Sequence, residues 1–393
     1  VPGRLEFLGK HTDYCGGASL VCAVERGFAV ASAPRTDARV RIVDAVSGRD
    51  AEGELSDSAA VRQGHWSSYS FTVCRRVARN FPGARRGIDL AFASNLPSAA
   101  GLSSSSALIV ATFLALADAN ELAARADYRA VIGGTENLAG YLGAVENGSS
   151  YGALTGAAGV GTEGGSQDHT AILCARVGAL VQYAYAPTRF EGAVPLPDEL
   201  RFVVAASGVV AAKTGSALAL YNHAAANAAA ALEAWRAGTG SVAPTLAAAL
   251  ADMPNAMERF RELLRGRDDL LRRVEQFDRE AALVRDAGGA LARGDLDLVG
   301  RLVDESQVGA EQLLGNQVPE TIALARDARE LGAVAASAFG AGFGGSVYAL
   351  VRASEGGDFE RRWAERYLAA FPGRRTHATF FITGAAAAAH VEG

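Results

Sequence analysis

The chain runs to 393 residues, 49% of them hydrophobic and 21% charged, with a formal net charge of −5. This is globular composition with room for two domains, and its acidic balance argues against a nucleic-acid or anionic-membrane partner. No apolar run approaches the length of a membrane span and no leader is visible, although a chain opening on Val1 leaves room for residues upstream.

Cys15, Cys22, Cys74 and Cys174 form no CxxC pair, which points to buried, reduced thiols and a cytoplasmic setting. The six histidines show no HExxH or paired spacing, so zinc is not expected. Of the 38 basic residues only Lys10 and Lys213 are lysine. Both are marked as positions where a compact point charge is wanted rather than a planar fork.

In chain order, Gly3 to Leu8 reads as a strand. The polar loop Gly9-Lys10-His11-Thr12-Asp13-Tyr14-Cys15-Gly16-Gly17 follows it, and is longer and more charged than a hairpin turn needs. Strand-like runs follow at Ser19–Val24, Gly27–Ala33 and Val40–Val46. Trp66 and Tyr69, three residues apart, fall on one face of a helix that ends near Asn80, as plain core or as the wall of a flat pocket. Gly87–Ser94 is a strand that feeds Leu96-Pro97-Ser98-Ala99-Ala100-Gly101-Leu102-Ser103-Ser104-Ser105-Ser106, a small-residue loop at the head of an apolar helix. Serines there either cap the helix or leave its free N–H groups to an anion, and the length of the run favours phosphate. Helices continue to about Leu142. Gly164-Gly165-Ser166-Gln167-Asp168-His169 then precedes an expected strand at Ala171–Val177, which makes Asp168 a candidate buried carboxylate. Pro195–Glu199 reads as a boundary, Arg201–Ser207 as a strand and Leu218–Glu330 as Ala-rich helices. Strands at Ala333–Ala338 and Ser346–Val351 flank a glycine loop, and a helix (Asp358–Ala370) and a strand (Ala378–Ile382) close the chain.

Gly340-x-Gly342-x-x-Gly345 has the spacing of a dinucleotide fingerprint, but a strand rather than a helix follows it, which disfavours an oxidoreductase. No GxxxxGK[ST] occurs. Phosphate on the serine turn without a P-loop lysine calls for Mg²⁺, held by a serine hydroxyl and a carboxylate such as Glu146. Asp168 as base and Arg4 as charge stabiliser would complete a small-molecule kinase.

Three stretches resemble the GHMP kinases, and galactokinases in particular. Pro97 to Ser105 matches Pro-x-x-x-Gly-Leu-Ser-Ser-Ser. Gly3 to Gly17 is similar to Gly-Arg-x-Asn-x-Ile-Gly-Glu-His-Thr-Asp-Tyr-x-Gly-Gly, and Gly340 to Gly345 mirrors a late glycine loop. The resemblance implies an α/β fold of two domains, 1–197 with a ribosomal-protein-S5-like layout and 198–393 ferredoxin-like with added helices. The implied reaction is ATP-dependent phosphorylation of the C1 hydroxyl of galactose or a related sugar by a monomer or homodimer. Asp168 would be the base and Arg4 the transition-state cation. Lys10, His11, Thr12, Asp13, Gly165 and Tyr221 would meet the sugar. Trp66, Tyr69, Ala99, Ala100, Gly101, Leu102, Ser103, Ser104, Ser105 and Lys213 would meet ATP, and Ser105 and Glu146 would hold Mg²⁺. The departures are Glu6 for Asn, Ala99 for a glycine (which asks for a negative φ) and Lys10 for the Glu that meets the C6 hydroxyl. Lys10 suggests an anionic sugar, a uronic acid or heptose 7-phosphate. A silent sensor of sugar or ATP and the disfavoured oxidoreductase compete with the kinase.

Overall fold

The computed structural model describes residues 1–210 and 215–391. Seven strands precede residue 197: β1 (Pro2–Leu8), β2 (Ala18–Pro34), β3 (Arg39–Asp44), β4 (Asp50–Glu54), β5 (Ile88–Ser94), β6 (Ala179–Ala184) and β7 (Arg189–Pro195). They form one sheet in the order β4-β3-β5-β2-β6-β7, with β1 paired to β2. A second sheet, β11-β8-β10-β9, is built from β8 (Leu200–Ala206), β9 (Ala335–Phe339), β10 (Ser346–Arg352) and β11 (Thr379–Thr383). All its pairings are antiparallel. In the first sheet only β3 and β5 run parallel.

The helices are α1 (Ser68–Asn80), α2 (Ser104–Ala119), α3 (Ala126–Val131), α4 (Thr135–Asn147), α5 (Gln167–Cys174), α6 (Gly215–Thr239), α7 (Leu246–Ala251), α8 (Ala256–Leu263), α9 (Asp268–Ala292), α10 (Leu296–Gly309), α11 (Pro319–Glu330) and α12 (Gly356–Ala370). One hydrophobic core runs from Leu5 to Ala385 and takes side chains from both sheets. A second lies between the small sheet and α11 and α12, and a third holds α6 to α9 together around Trp235 stacked on Phe260. Among the described residues no helix is long and apolar enough to cross a membrane.

Three expectations need correction. The runs at Ser19–Val24 and Gly27–Ala33 are one strand, β2. The polar Glu25-Arg26 pair looks like a turn, but it lies at a register shift in the pairing with β1, between Ala23 and Gly27, after the pairing with β6 ends at Val21 and before that with β5 begins at Phe28. The expected strand at Ala171–Val177 is the helix α5, which begins at Gln167. Its apolar residues are buried on all sides, so neither the period of 2 nor that of 3.6 shows in so short a run. Trp66 stands ahead of α1 rather than on it, because the helix starts at Ser68. The glycine stretch 340–345 joins β9 to β10, in the strand–loop–strand context that disfavours a dinucleotide site.

Candidate active site

The serine loop bridges β5 and α2. Ser103 occupies the N-cap of α2 with φ +59° and makes no side-chain cap. Its Oγ is buried and has no hydrogen-bond partner among the described residues. Capping, one of the two readings of the serines, is therefore not what Ser103 does. An uncapped helix start at a cleft wall lined by Ser103, Ser104 and Ser105 suits an anion. Ala99 has φ +50°, contrary to the negative angle expected of it. A Cβ in the left-handed region is a strained choice, held here by the surrounding clamp. Ser346 Oγ donates to Ala100 O at 2.6 Å, Arg4 N donates to Leu102 O at 3.2 Å, and the Arg4 guanidinium donates to Gly101 O. Ala100 and Leu102 themselves face the core rather than the cleft, so they act through their carbonyls.

Arg4 joins this loop to Asp168. Its Nε lies 2.8 Å from Asp168 Oδ1, with Asp168 on the first turn of α5 and its side chain 20% exposed. Gln167 binds two further carboxylates: its backbone N–H donates to Asp13 Oδ2 at 3.1 Å and its side-chain amide donates to Glu6. Gly165 is required where it stands, since a Cβ there would lie 2.5 Å from Asp13 Oδ2. Burial, with Asp168 nearby, raises Asp13 above the ordinary aspartate range. His11 sits between Tyr14 Oη at 2.7 Å and Ala341 O at 3.2 Å, with its ring 5.4 Å from that of Tyr221. Burial, and then the Arg273 cation, push it down to about 3, so it is neutral at physiological pH. Arg4, His11, Asp13, Gly165, Asp168 and Tyr221 all line one cleft.

Two residues assigned to the sugar do not reach it. Lys10 is 1% exposed, and its Nζ donates to Ser306 Oγ at 2.7 Å, deep among the C-terminal helices. Ser306 in turn donates to Glu280, a buried anion that draws the ammonium away from the cleft. Thr12 spends its hydroxyl on Gly9 O and Ala18 O, and so shapes the loop. Lys213 lies outside the described residues.

Glu146, at the end of α4, accepts a hydrogen bond from Ser106 Oγ at 2.9 Å and lies 3.3 Å from His169 Nε2. The hydroxyl that Glu146 meets is thus one residue beyond Ser105, which lines the cleft beside it. A hard oxygen set of one carboxylate and neighbouring serine hydroxyls fits Mg²⁺, which takes most of its remaining ligands from phosphate and water. Among the described residues there is no cluster of three metal-ligating side chains that would suit a more demanding ion.

Phe28, Trp66, Tyr69, Phe92, Leu96 and Leu108 give the cleft an apolar stretch, with Trp66 6.0 Å from Phe92 ring to ring. The whole cleft holds about 550 Å³, the size of a small-molecule site. Sequence reasoning passed over Glu6, Gln167, Ser106 and His169 as site residues. It also passed over Arg273, Gln276 and Glu280 on α9, which bind the backbone of the polar loop. A signal for these last existed: polar residues at 273, 276 and 280 recur at helical spacing beside Phe277 and Val284.

Comparison with known proteins agrees with this geometry. Residues 1–34 match the galactokinase galactose-binding signature, 68–144 the GHMP kinases N terminal domain and 289–369 the GHMP kinases C terminal domain. A galactokinase of Chloroflexus aurantiacus is 30% identical over 367 residues, covering 90% of this chain and 83% of that protein. A galactokinase of Roseiflexus sp. is 28% identical over 368 residues, covering 93% and 86%. The crystal structure of Lactococcus lactis galactokinase complexed with galactose has a TM-score of 0.82 at 23% identity, over 98% of this chain and 92% of that one. The fold is the mixed α/β, two-domain fold of the GHMP kinases.

Proposed function

The chain belongs to the galactokinase family of the GHMP kinases and is an ATP-dependent sugar kinase; from that premise we propose that it phosphorylates galactose, or a close neutral relative, at the anomeric C1 hydroxyl. The observation that carries this reading is Arg4, which touches the phosphate loop at Gly101 O and Asp168 at 2.8 Å. It thus places a cation and a carboxylate where phosphate and acceptor must meet. Asp168 takes the proton of the C1 hydroxyl as that oxygen forms its bond to the γ-phosphorus of ATP, and ADP leaves with the electrons of the broken P–O bond. Arg4 orients Asp168 and offsets charge building on the phosphoryl oxygens. Asp13, His11 and Tyr221 bind the sugar, and the serine loop binds the phosphates. Trp66 and Tyr69 give the base a flat apolar seat. Glu146 with Ser105 and Ser106 would hold Mg²⁺, which when bound neutralises phosphate charge.

An anionic sugar would need Lys10 in the cleft, and Lys10 is turned into the helices. A neutral sugar is therefore the better-supported substrate. The position that would meet the C6 hydroxyl presents no side chain, so discrimination at C6 should be weak. A silent sensor would not need Arg4, Asp168 and Glu146 gathered on one cleft. Four unpaired thiols suit a reducing, cytoplasmic setting.

The test is ADP release with galactose, 6-deoxygalactose, galacturonate and heptose 7-phosphate, with the product identified as a sugar 1-phosphate by phosphorus NMR. Galactose and 6-deoxygalactose should be turned over at rates within about tenfold of each other, since a missing contact at C6 is worth little. Turnover of none of these sugars would remove the proposal, and strong preference for the anionic pair would restore the reading from Lys10. Asp168→Asn should lower kcat by about a thousandfold while an ATP analogue still binds.

A further inference from the structure

The proposed chemistry leaves two carboxylates on the cleft wall without work, Glu6 and Asp44, and Asp44 is already held by Ser47 and Arg49. Glu6 lies on β1 two residues beyond Arg4, so both point to the same face of the strand, about 7 Å apart along it. Glu6 is 3% exposed and lines the same cleft. Its Oε2 accepts from the Gln167 amide, whereas its Oε1 has no hydrogen-bond partner among the described residues. A buried carboxylate oxygen left unpaired is costly and rarely kept.

We propose that Glu6 Oε1 is a specificity-determining contact, which pairs with a hydroxyl of the acceptor sugar other than the one being phosphorylated. The spacing along β1 sets it away from the reacting oxygen, which Arg4 and Asp168 mark. Burial is the main cause that lifts Glu6 to about 7, against the opposing pull of Arg4 and Lys10. Glu280, Tyr185 and Tyr348 are the other titratable groups near it. Carboxylate and carboxylic acid are thus both present near neutrality. A hydroxyl can donate to the first and accept from the second, so it suits the site in either form. An ammonium suits only the first form, and a sugar carboxylate or phosphate only the second.

This inference rests on the sugar-kinase reading, and wild-type turnover of galactose keeps the two apart. The experiment compares kcat/KM for galactose and its 2-, 3-, 4- and 6-deoxy analogues in wild type, Glu6→Asn and Glu6→Gln. Asn withdraws the polar end by one carbon and Gln keeps its reach, and melting curves with ATP-analogue binding check that each variant is folded. Glu6→Asn should lower kcat/KM for galactose about tenfold, the worth of one lost contact, and Glu6→Gln should lower it less. For one deoxy analogue, Glu6→Asn and wild type should converge. Equal losses on galactose and on every deoxy analogue would overturn the contact and leave Glu6 a support for Gln167 alone. A wild type that phosphorylates galactose while both variants match it on every sugar would overturn the inference and leave the proposed function standing.

Discussion

Glu6 and His11 titrate in opposite senses in the folded protein. Unfolded, Glu6 releases its proton near 4.5; folded, it holds it to about 7. Across that window the native state carries the extra proton, so stability is full below pH 4.5 and falls as pH rises through 7, by on the order of 3 kcal/mol. His11 does the reverse. Its ordinary value is 6.5 and burial takes it to about 3. The unfolded chain holds the extra proton between those values, so stability rises with pH there. From pH 4.5 to 6.5 the two slopes oppose each other and the wild-type profile is flattened. Glu6→Gln removes one of them. Urea unfolding from pH 4.5 to 7.5 should show the variant gaining on wild type by on the order of 3 kcal/mol as pH rises; parallel curves would show that Glu6 ionises normally. Lys10 gives the second prediction at this scale. Its ammonium is bonded to Ser306, beside Glu280. Lys10→Met should therefore cost about 2 kcal/mol, as expected for a hydrogen bond to a buried charge. The galactose-to-galacturonate rate ratio should shift little, and a changed ratio with unchanged melting would return Lys10 to the sugar. Its type and neighbours in the sequence marked Lys10 as chemical, but not which way it points. That direction is fixed by Glu280 and Ser306, far along the chain. Asp168 and Arg4 were legible, because each sits in a local pattern that its own neighbours complete.

Among the elements, α5 decides where Asp168 stands. It packs on α4 through Gly143, where a Cβ would lie 2.8 Å from Ser166 Cα and Cβ and 2.9 Å from Gly165 O. Those atoms are backbone and near-backbone at the start of α5, so they cannot swing aside, and the helix itself would have to move. Gly143 is not among the residues lining the cleft. Gly143→Ala should cost about 1–3 kcal/mol through overpacking and should lower kcat more than it changes ATP-analogue affinity, because it displaces Asp168 and not the phosphate loop. Melting and steady-state kinetics check both halves; an unaltered kcat would mean that α5 is not seated by this contact. The strands of the small sheet and the long helices could be read from runs and punctuation in the sequence. α5 could not, because eight residues buried on nearly every side carry no period. β6 and β7 were passed over for another reason: they flank a short turn, and β7 alternates between exposed and half-buried residues instead of forming an apolar run.

At the scale of the whole molecule, the polar loop after β1 belongs by sequence to the first sheet and by hydrogen bonding to the helices of the second half. Arg273 donates to His11 O at 2.5 Å, and Gln276 Nε2 donates to Lys10 O at 3.2 Å. Glu280 accepts from Gly9 N at 2.8 Å and from Lys10 N at 3.1 Å, and Tyr348 Oη donates to Phe7 O at 2.7 Å. The phosphate loop is clamped separately, by Arg4 and Ser346. The two substrates should therefore be separable by mutation. Arg273→Met removes the donor to His11 O and the cation beside Tyr14 and Cys15, leaving a buried carbonyl unpaired. A loss of about 3 kcal/mol follows from that orphaned group and the broken charged bonds. Because the loop that carries His11 and Asp13 loosens, KM for the sugar should rise about tenfold or more, the equivalent of at least 1.4 kcal/mol of binding. KM for ATP should stay within about threefold, less than one hydrogen bond is worth. Arg273→Lys keeps the charge but not the fork, and should recover stability better than it recovers sugar affinity. Initial-rate kinetics with each substrate varied in turn would decide it. An equal rise in both KM values would show that α9 supports the cleft as a whole rather than the sugar loop.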